Sequence, residues 1–329
     1  MTIFGLINAN SGVSYHRIQT PLMRTPDNVH VYITNNLSQE DLMGASTYKN
    51  GEPIQKPDAV YYNRIVNEDI VKQSRAVGAK IVLDIDDYWL LDPHHIAYND
   101  YLTNDFASQQ IKHIQQADTI TTTHDRLAEK ISEYNKAVVI TPNAIPLDWY
   151  APATESEYIR LFWQGSITHE KDIELLRGPM RRLGPQFQPV IAGYTEHKAW
   201  HRMASAFTSG HRHNAKVLPS AGPEEYYQNY RYADVCLCPL LDTPFNSMKS
   251  NLKVLEAAHL GIPVVASYVN PYLGMPVMRV EQQKDWAYWI NDLTDPDKRK
   301  VRGEYLREWC RERYNFDKIN KTRLEALQR

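Results

Sequence analysis

Apolar residues recur along the chain in two rhythms. Short runs rich in Val, Ile and Tyr at 3–9 (IFGLINA), 29–34, 59–65, 80–86, 119–123 and 138–143 have the length and composition of buried strands. Between them, EDIVKQSRAVG (68–78), SQQIKHIQQA (108–117) and HDRLAEKISEY (124–134) place apolar residues every three to four positions, as an amphipathic helix does. Gly78 predicts the stop of the first of these. The alternation then restarts. YIRLFWQGS (158–166) reads as a strand running into a turn, and HEKDIELLRGPMRRLG (169–184) as a helix. QPVIAGY and KAWHRMASAF form the next strand and helix, AKVLPSAG and PEEYYQNYRYA the next, and DVCLCPL a further strand. The last pair is the helix of SNLKVLEAAHLG (250–261) with the strand of IPVVAS, ahead of a short strand near PVMRV.

Alternating strands and helices predict an α/β fold with parallel sheets covered on both faces. PNAIPLDWYAPATESEY (142–158), with Pro142, Pro146 and Pro152, reads as the linker between two repeats. The expected organisation is a Rossmann-like doubly wound domain over 1–148, a second over 149–300 and a helical C-terminal segment over 301–329. Trp309, Tyr314, Phe316, Ile319 and Leu324 are the expected contacts of that segment. Two such domains are expected to face a cleft. In open sheets ligands gather beyond the carboxyl ends of the strands, so the strand-to-helix loops are where chemistry is expected.

Composition narrows the classes. The 329 residues are 43% hydrophobic and 23% charged, and mean hydropathy is −0.53. No apolar run reaches the roughly 20 residues of a membrane helix, and the N-terminus lacks the pattern of a secretion signal. Cys236, Cys238 and Cys310 are few and odd in number, which suits free thiols and a cytoplasmic location. The net charge of −2 does not advertise nucleic-acid binding, although Arg181/Arg182 and His211-Arg212-His213 are local basic clusters. Tyrosines outnumber phenylalanines 21 to 7, offering flat faces with polar edges that suit sugars and bases.

Four loops carry candidate chemistry. In NANSGVSYHRI (8–18) a strand passes into a helix through Gly12, with Tyr15, His16 and Arg17 following; free N–H groups at a helix start favour phosphate, but the G-x-G-x-x-G fingerprint is absent. In WQGSITHEKDIELL (163–176), Gly165 and Ser166 make the turn, Ser166 or Thr168 can cap the helix, and Lys171 places a cation in its first turn, against the helix dipole. In VLDIDDYWLLDPHH (82–95), Asp84, Asp86 and Asp87 end a strand ahead of Tyr88, His94 and His95; carboxylates so clustered suit a metal, a general base, acceptor contacts or capping. In the 250–261 helix, Ser247, Ser250 and Asn251 are cap residues, Leu252, Leu255 and Ala258/His259 form the expected buried stripe, and Lys253 and Glu256 share another face. A carboxylate there can accept a ribose diol and a lysine one turn earlier can neutralise a pyrophosphate. On residue types alone the pair reads better as a solvated surface ion pair.

The run Lys253, Glu256, Ala257, Gly261, Pro263, Val264, Val265, Ala266 and Ser267 resembles the donor-binding signature of GT-B glycosyltransferases, in particular the family-4-like, group 1 type. GSITHEKD resembles the turn that opens their second domain, PNAIPLDWY the segment that closes the first, and GVSYHRIQTPL an N-terminal loop of some members. The resemblance implies a hexosyltransferase of GT-B fold that moves a sugar from a nucleotide-diphosphate donor, UDP- or GDP-sugar, to an acceptor hydroxyl. It also implies retention of configuration, with no metal and no cofactor. The implied donor contacts are Gly12, Gly165, Ser166, Lys171, Ser250, Asn251, Lys253 and Glu256. Tyr15, Arg17, Asp86, Tyr88, His94 and His124 are the acceptor candidates, and His16, Asp87 and Lys253 the catalytic ones. The acceptor is either a glycan or, as in phage-type DNA glycosyltransferases, a hydroxymethylated DNA base. Many members carry a further glutamate eight positions before the ribose-binding one; here that position is Met248. This departure keeps open a sugar-nucleotide binder without turnover; an epimerase on the same scaffold is a separate alternative. The D-x-D-D of 84–87 is similar to the metal motif of another glycosyltransferase class, but that class has a single nucleotide-binding domain.

Overall fold

The computed structural model of the protein describes residues 1–8, 11–47 and 53–329. They form two compact units: Met1–Leu90 with Tyr101–Asn143 and Asp317–Arg329, and Leu91–Asp100 with Ala144–Phe316.

In the first unit six strands, β1 (Thr2–Leu6), β2 (His30–Thr34), β3 (Ala59–Asn63), β4 (Lys80–Ile85), β5 (Thr119–Thr122) and β6 (Val138–Ile140), make one parallel sheet in the order β2-β1-β3-β4-β5-β6. Ile3, Tyr61 and Val82 from its strands pack with Ile18, Leu22 and Leu327. The strands stop short of the apolar runs that predicted them. β3 ends where Arg64 takes a positive φ of 62°, and β4 ends as the chain turns polar at Asp86. The last position expected of β1, Ala9, lies outside the described residues. The helix Glu68–Ala76 is capped by Asn67, whose side chain accepts from Asp69 N, and it stops at Gly78, where φ is +85°. After Gly12 the chain winds helically to Leu22 with a π-helical turn at Tyr15–Gln19. Such bulges recur at functional sites.

In the second unit β7 (Ile159–Gln164), β8 (Phe187–Tyr194), β9 (Lys216–Pro219), β10 (Val235–Cys238), β11 (Val264–Ser267) and β12 (Met278–Val280) are again all parallel, in the order β12-β11-β10-β7-β8-β9. The chain starts at β7, builds outwards to β9, then returns to β10 on the other side, so the order reverses between β7 and β10. Trp163, Trp200, Phe187, Leu237, Val265 and Trp286 anchor the core.

Two expected helices of this unit differ. Residues 167–180 form a string of single turns, 3-10 at Ile167–His169 and Glu174–Leu176, α at Glu170–Ile173 and Arg177–Met180. Pro179 has no N–H to give the carbonyl of Leu175, and that carbonyl instead accepts from Gln283 Nε2 at 2.6 Å. The segment PEEYYQNYRYA winds as a 3-10 helix, Tyr226–Tyr232. The proline-rich segment 142–158 has no regular structure beyond turns, yet Ile145, Trp149 and Ala151 are buried. Trp149 stacks on Tyr227 with ring centroids 4.5 Å apart.

The C-terminal helices run Pro296–Arg313 and Phe316–Gln328. Their deepest residues are Leu306, Cys310, Asn320, Arg323, Ala326 and Leu327 rather than most of the stripe expected; of the latter only Phe316 is buried. Gly303 lets the first of these helices touch the turn at Gly261, because a Cβ there would sit 1.8 Å from the Gly261 carbonyl oxygen. Cys236, Cys238 and Cys310 are free and buried. Among the described residues no helix is long and apolar enough to cross a membrane.

Candidate functional site

The reversal between β7 and β10 is the point where an open parallel sheet offers a crevice to a ligand. Three segments meet there: the turn after β7, the loop after β10 and the helix Leu252–His259. Gly165 ends β7, and a Cβ on it would lie 2.7 Å from the Trp163 ring and 3.3 Å from Lys253 Nζ. The lysine can stand where it does because residue 165 has no side chain. Lys253 Nζ is also 5.6 Å from the Trp163 ring centroid and 3.4 Å from His169 Nε2.

His169 fixes this lysine through a chain of hydrogen bonds. Its Nδ1 is 2.8 Å from Asp172 Oδ2, and Asp172 Oδ1 accepts from Leu241 N at 2.9 Å and from Asn246 Nδ2 at 3.1 Å. Burial works against the charge on Asp172, but the hydrogen bonds from His169 and Leu241 N outweigh it and hold the carboxyl below its ordinary range. An ionised carboxylate only accepts, so Nδ1 carries the imidazole proton and Nε2 turns its lone pair to the Lys253 ammonium. Burial, then the nearby Lys253 charge, lower the His169 pKa to about 4. Burial also lowers that of Lys253, with Glu256 opposing it. Lys249, whose ammonium lies 4.5 Å from the Phe245 centroid, adds a second positive charge felt by both. The result is a cation with no carboxylate partner among the described residues, aimed by a neutral imidazole at a sheet switch point. Such an arrangement is suited to an anion.

Glu256 is not a surface ion-pair partner. It is 4% exposed, with Tyr226 Oη donating to Oε1 and Tyr230 Oη donating to Oε2 at 2.7 Å. Burial raises its pKa against the pull of those two hydroxyls. The buried face of its helix is correspondingly Val254, Leu255, Glu256, Ala257 and Ala258, while Leu252 and His259 are half-buried. Asn251 occupies the cap position without a capping bond, its amide reaching Met275 Sδ at 3.6 Å. Ser250 is half-buried beside it, and Met248 closes a 3-10 turn, Asn246–Met248. Ser166 caps nothing either, since its hydroxyl lies 2.7 Å from that of Thr168. Lys171 is exposed one turn on; the side chain of its helix that reaches Lys253 is His169.

The first unit handles its charges differently. Arg17 is 1% exposed and every nitrogen of its guanidinium is engaged. Nη2 donates to Asp84 Oδ1 at 2.7 Å and to Thr141 Oγ1, Nη1 to the Thr141 carbonyl at 2.6 Å and to Asn143 Oδ1, and Nε to Asp84. Asp84 also accepts from Tyr61, Asn63 and Thr121. Arg17, expected among the acceptor contacts, is therefore an internal post joining β4 to the segment after β6. Arg64 Nε donates to Asp86 at 2.8 Å and its Nη2 to Asp87 at 2.9 Å; Arg64 outweighs burial and holds Asp86 below the usual carboxylate range. The acidic run thus faces arginine and amide donors. His16 is 7% exposed and packs edge-on against Tyr15 at 5.3 Å. Burial, then Arg17, lower its pKa to about 3, which leaves it a poor proton acceptor. His124 caps the helix Asp125–Ile131. Tyr88 is half-buried against Trp89, with ring centroids 4.9 Å apart. Gly12 is exposed with open space at its Cβ position. His94, in the second unit, is exposed, and its neighbour His95 packs edge-on against Phe245 at 5.3 Å.

Sequence reasoning missed His169, Asp172, Tyr226, Tyr230 and Asn246. Two of these had a readable signal: His169 and Asp172 stand three apart in a run read only for its capping and its lysine. The tyrosine clamp had none, because it depends on where the 3-10 turn falls relative to Glu256.

Residues 159–292 match the family described as glycosyl transferases group 1. Two solved structures superpose on nearly the whole chain. Sucrose-phosphate synthase from Thermosynechococcus elongatus is 14% identical over 99% of this chain and 98% of its own, with a TM-score of 0.69. HepE from Anabaena, solved with UDP and glucose, is 12% identical over 99% of this chain and 98% of its own, with a TM-score of 0.71. A UDP-forming α,α-trehalose-phosphate synthase from Burkholderia xenovorans is 12% identical over 85% of this chain and 74% of its own, at a TM-score of 0.60. No curated protein sequence matches the chain.

Proposed function

For a two-sheet chain that superposes on GT-B structures and whose residues 159–292 match the family described as glycosyl transferases group 1, we propose that the protein is a glycosyltransferase that transfers a hexose from a UDP-sugar to a glycan hydroxyl, with Lys253 as the cation that meets the donor diphosphate. The observation that carries this reading is the Lys253 ammonium, set against Gly165 and oriented by His169 and Asp172. The Anabaena structures of the same fold were solved with UDP-glucose and with UDP, which favours uridine over guanosine as the base.

The chemistry asks little else of the protein. The bond from the anomeric carbon to the diphosphate oxygen breaks and its electron pair leaves with the diphosphate. Negative charge therefore grows where Lys253, Lys249 and the start of the Leu252–His259 helix offer positive potential. The acceptor oxygen bonds to the anomeric carbon on the face the diphosphate leaves, and its proton passes to the departing phosphate oxygen. Configuration is retained, and neither an enzyme nucleophile nor a metal is required. Glu256 supports the ribose once Tyr226 gives up its hold on Oε1.

The test is a screen of UDP- and GDP-sugars with purified protein, following binding and nucleoside diphosphate release. UDP-sugar binds and UDP is released in the presence of a glycan; Lys253→Ala lowers the release at least about a hundredfold, the scale of a lost electrostatic contact in a transition state. Failure of the wild-type protein to bind any nucleotide sugar overturns the reading. Release stimulated only by hydroxymethylated DNA moves the acceptor to that class.

A second reading rests on Met248, which stands eight positions before Glu256 in the 3-10 turn ahead of the donor helix. A site without a carboxylate there can hold the nucleotide and leave the sugar ungripped. It predicts donor binding with no turnover against glycan, hydroxymethylated DNA or water.

A further inference from the structure

Away from the donor cluster, the second unit contains a cavity of about 450 Å³. Its walls come from the start of the 142–158 segment, from Leu255 and His259 of the Leu252–His259 helix, and from the last two turns of Pro296–Arg313. The volume falls in the roughly 300–1,000 Å³ range of small-molecule sites. Ile145, Leu255 and Phe316 give it an apolar floor, each under 8% exposed. Its polar lining is dominated by Arg307, Arg311 and His259.

Among the described residues the two arginines lack an ion-pair partner, and at His259 only Asp148 opposes them. Arg307 Nε is buried without any hydrogen-bond partner. The two guanidinium groups are four residues apart on one helix, where like charges repel. His259 Nε2 lies 3.0 Å from the Trp149 carbonyl oxygen. Burial keeps this imidazole below its ordinary pKa against that bond, and Arg311 and Arg307 lower it further, with Asp148 opposing. Cys310 also lines the space, and burial pushes its thiol up to about 12, so it brings no negative charge. Cations near a helix C-terminus are ordinary; a buried guanidinium nitrogen with no acceptor beside a cavity is not.

We propose that this cavity is a second ligand site, separate from the donor cluster, for a small oxyanion carrying an apolar group: a phosphomonoester or a carboxylate. The guanidinium pair presents several N–H donors to the anion head, and Ile145, Leu255 and Phe316 receive the apolar part.

The experiment uses the full chain, with phenyl phosphate and benzoate as probes and inorganic phosphate as the comparison, read by titration calorimetry. A Lys253→Met background removes the other cation that attracts phosphate. Phenyl phosphate or benzoate is expected to bind wild type and Lys253→Met equally, and more tightly than inorganic phosphate. The Arg307→Gln/Arg311→Gln double variant should weaken that binding at least about tenfold, the loss of one charged contact. Should the double variant not fold, Arg311→Gln alone is used, Arg311 being exposed. A several-fold loss there supports the site and unchanged affinity overturns it. Binding that disappears in Lys253→Met yet persists in the arginine variants assigns the anion to the donor cluster and overturns the proposal, as does the absence of binding by either organic probe.

Discussion

At the carboxyl ends of the first sheet, arginines meet carboxylates: Arg17 holds Asp84, and Arg64 holds Asp86 and Asp87. At the carboxyl ends of the second sheet Lys253 meets the lone pair of a neutral imidazole and the carbon edge of Gly165. For Arg17 and Arg64 of the first unit the desolvation of the charge is offset inside the protein by a carboxylate, so these pairs hold the fold together; Arg323 of the same unit has no such pair among the described residues, and burial lowers its pKa. In the second the offset is incomplete, which depresses the lysine pKa and leaves positive potential for a ligand to satisfy. A buried cation paired with its own carboxylate serves the fold, whereas one without at a sheet switch point is a candidate for a ligand, which is the basis of the role proposed for Lys253.

Substitution should separate the two. Arg17→Met leaves Asp84 buried and charged with only hydroxyl and amide donors, and breaking one side of such a pair costs about 3–5 kcal/mol. Denaturant unfolding of the full chain should show that loss. Lys253→Met removes a cation that was itself costly to bury, so unfolding should change by less than about 1 kcal/mol in either direction, while nucleotide-sugar affinity collapses. Equal destabilisation by both substitutions would erase the distinction between the units.

That distinction was only half legible in the sequence. The strands could be read because a parallel sheet buried on both faces writes each strand as an apolar run, and all twelve lie within or overlap the runs that predicted them. Lys253, Glu256 and Gly165 could be singled out as candidates, since a helix start, a helical spacing and a glycine turn are local features. What failed was pairing across long separations. Nothing near Arg17 announces a carboxylate 67 residues away, and fully buried arginines are rare enough that an exposed role is the natural expectation. The break near Leu175 in the 167–180 run follows from Pro179, whose effect on the helix the period alone does not register. Glu256 was read as exposed because a glutamate one turn from a lysine is usually a surface pair, and its two tyrosines come from a 3-10 turn 26 and 30 residues earlier.

The next contrast is in acid. His16 in the first unit and His169 in the second are both neutral in the folded protein, with pKa values lowered from 6.5 to about 3 and about 4. His113, His211 and His259 are lowered as well. The unfolded chain binds protons at these groups first, so their contribution is fully present above pH 6.5 and is lost as pH falls towards the folded values. The ceiling is ~3 kcal/mol for His169. Unfolding free energy measured from pH 7 to pH 4.5 should therefore decline, and His169→Gln should flatten part of the decline. In the same variant donor binding should weaken at neutral pH, because Lys253 loses the lone pair that orients it. A slope unchanged by His169→Gln would remove the imidazole from the account of the second site.

The smallest effects lie in the tyrosine clamp, where they ask whether Glu256 belongs to the fold or to the ligand. Tyr230 is 2% exposed and Tyr226 half-buried, yet each donates to one oxygen of the same carboxylate. Tyr230→Phe leaves Oε2 buried without that donor, a loss of about 1–3 kcal/mol. Tyr226→Phe should cost less than about 1 kcal/mol, since water or a ligand hydroxyl can take the vacated place. If a ribose diol uses Oε1, removing the Tyr226 hydroxyl removes its competitor, and donor affinity in Tyr226→Phe should hold or rise while Glu256→Gln lowers it. Equal losses of affinity in Tyr226→Phe and Tyr230→Phe, matched by equal losses of stability, would make the clamp purely structural. The ribose would then have to be held by other groups, with Lys253 left as the donor contact in this helix.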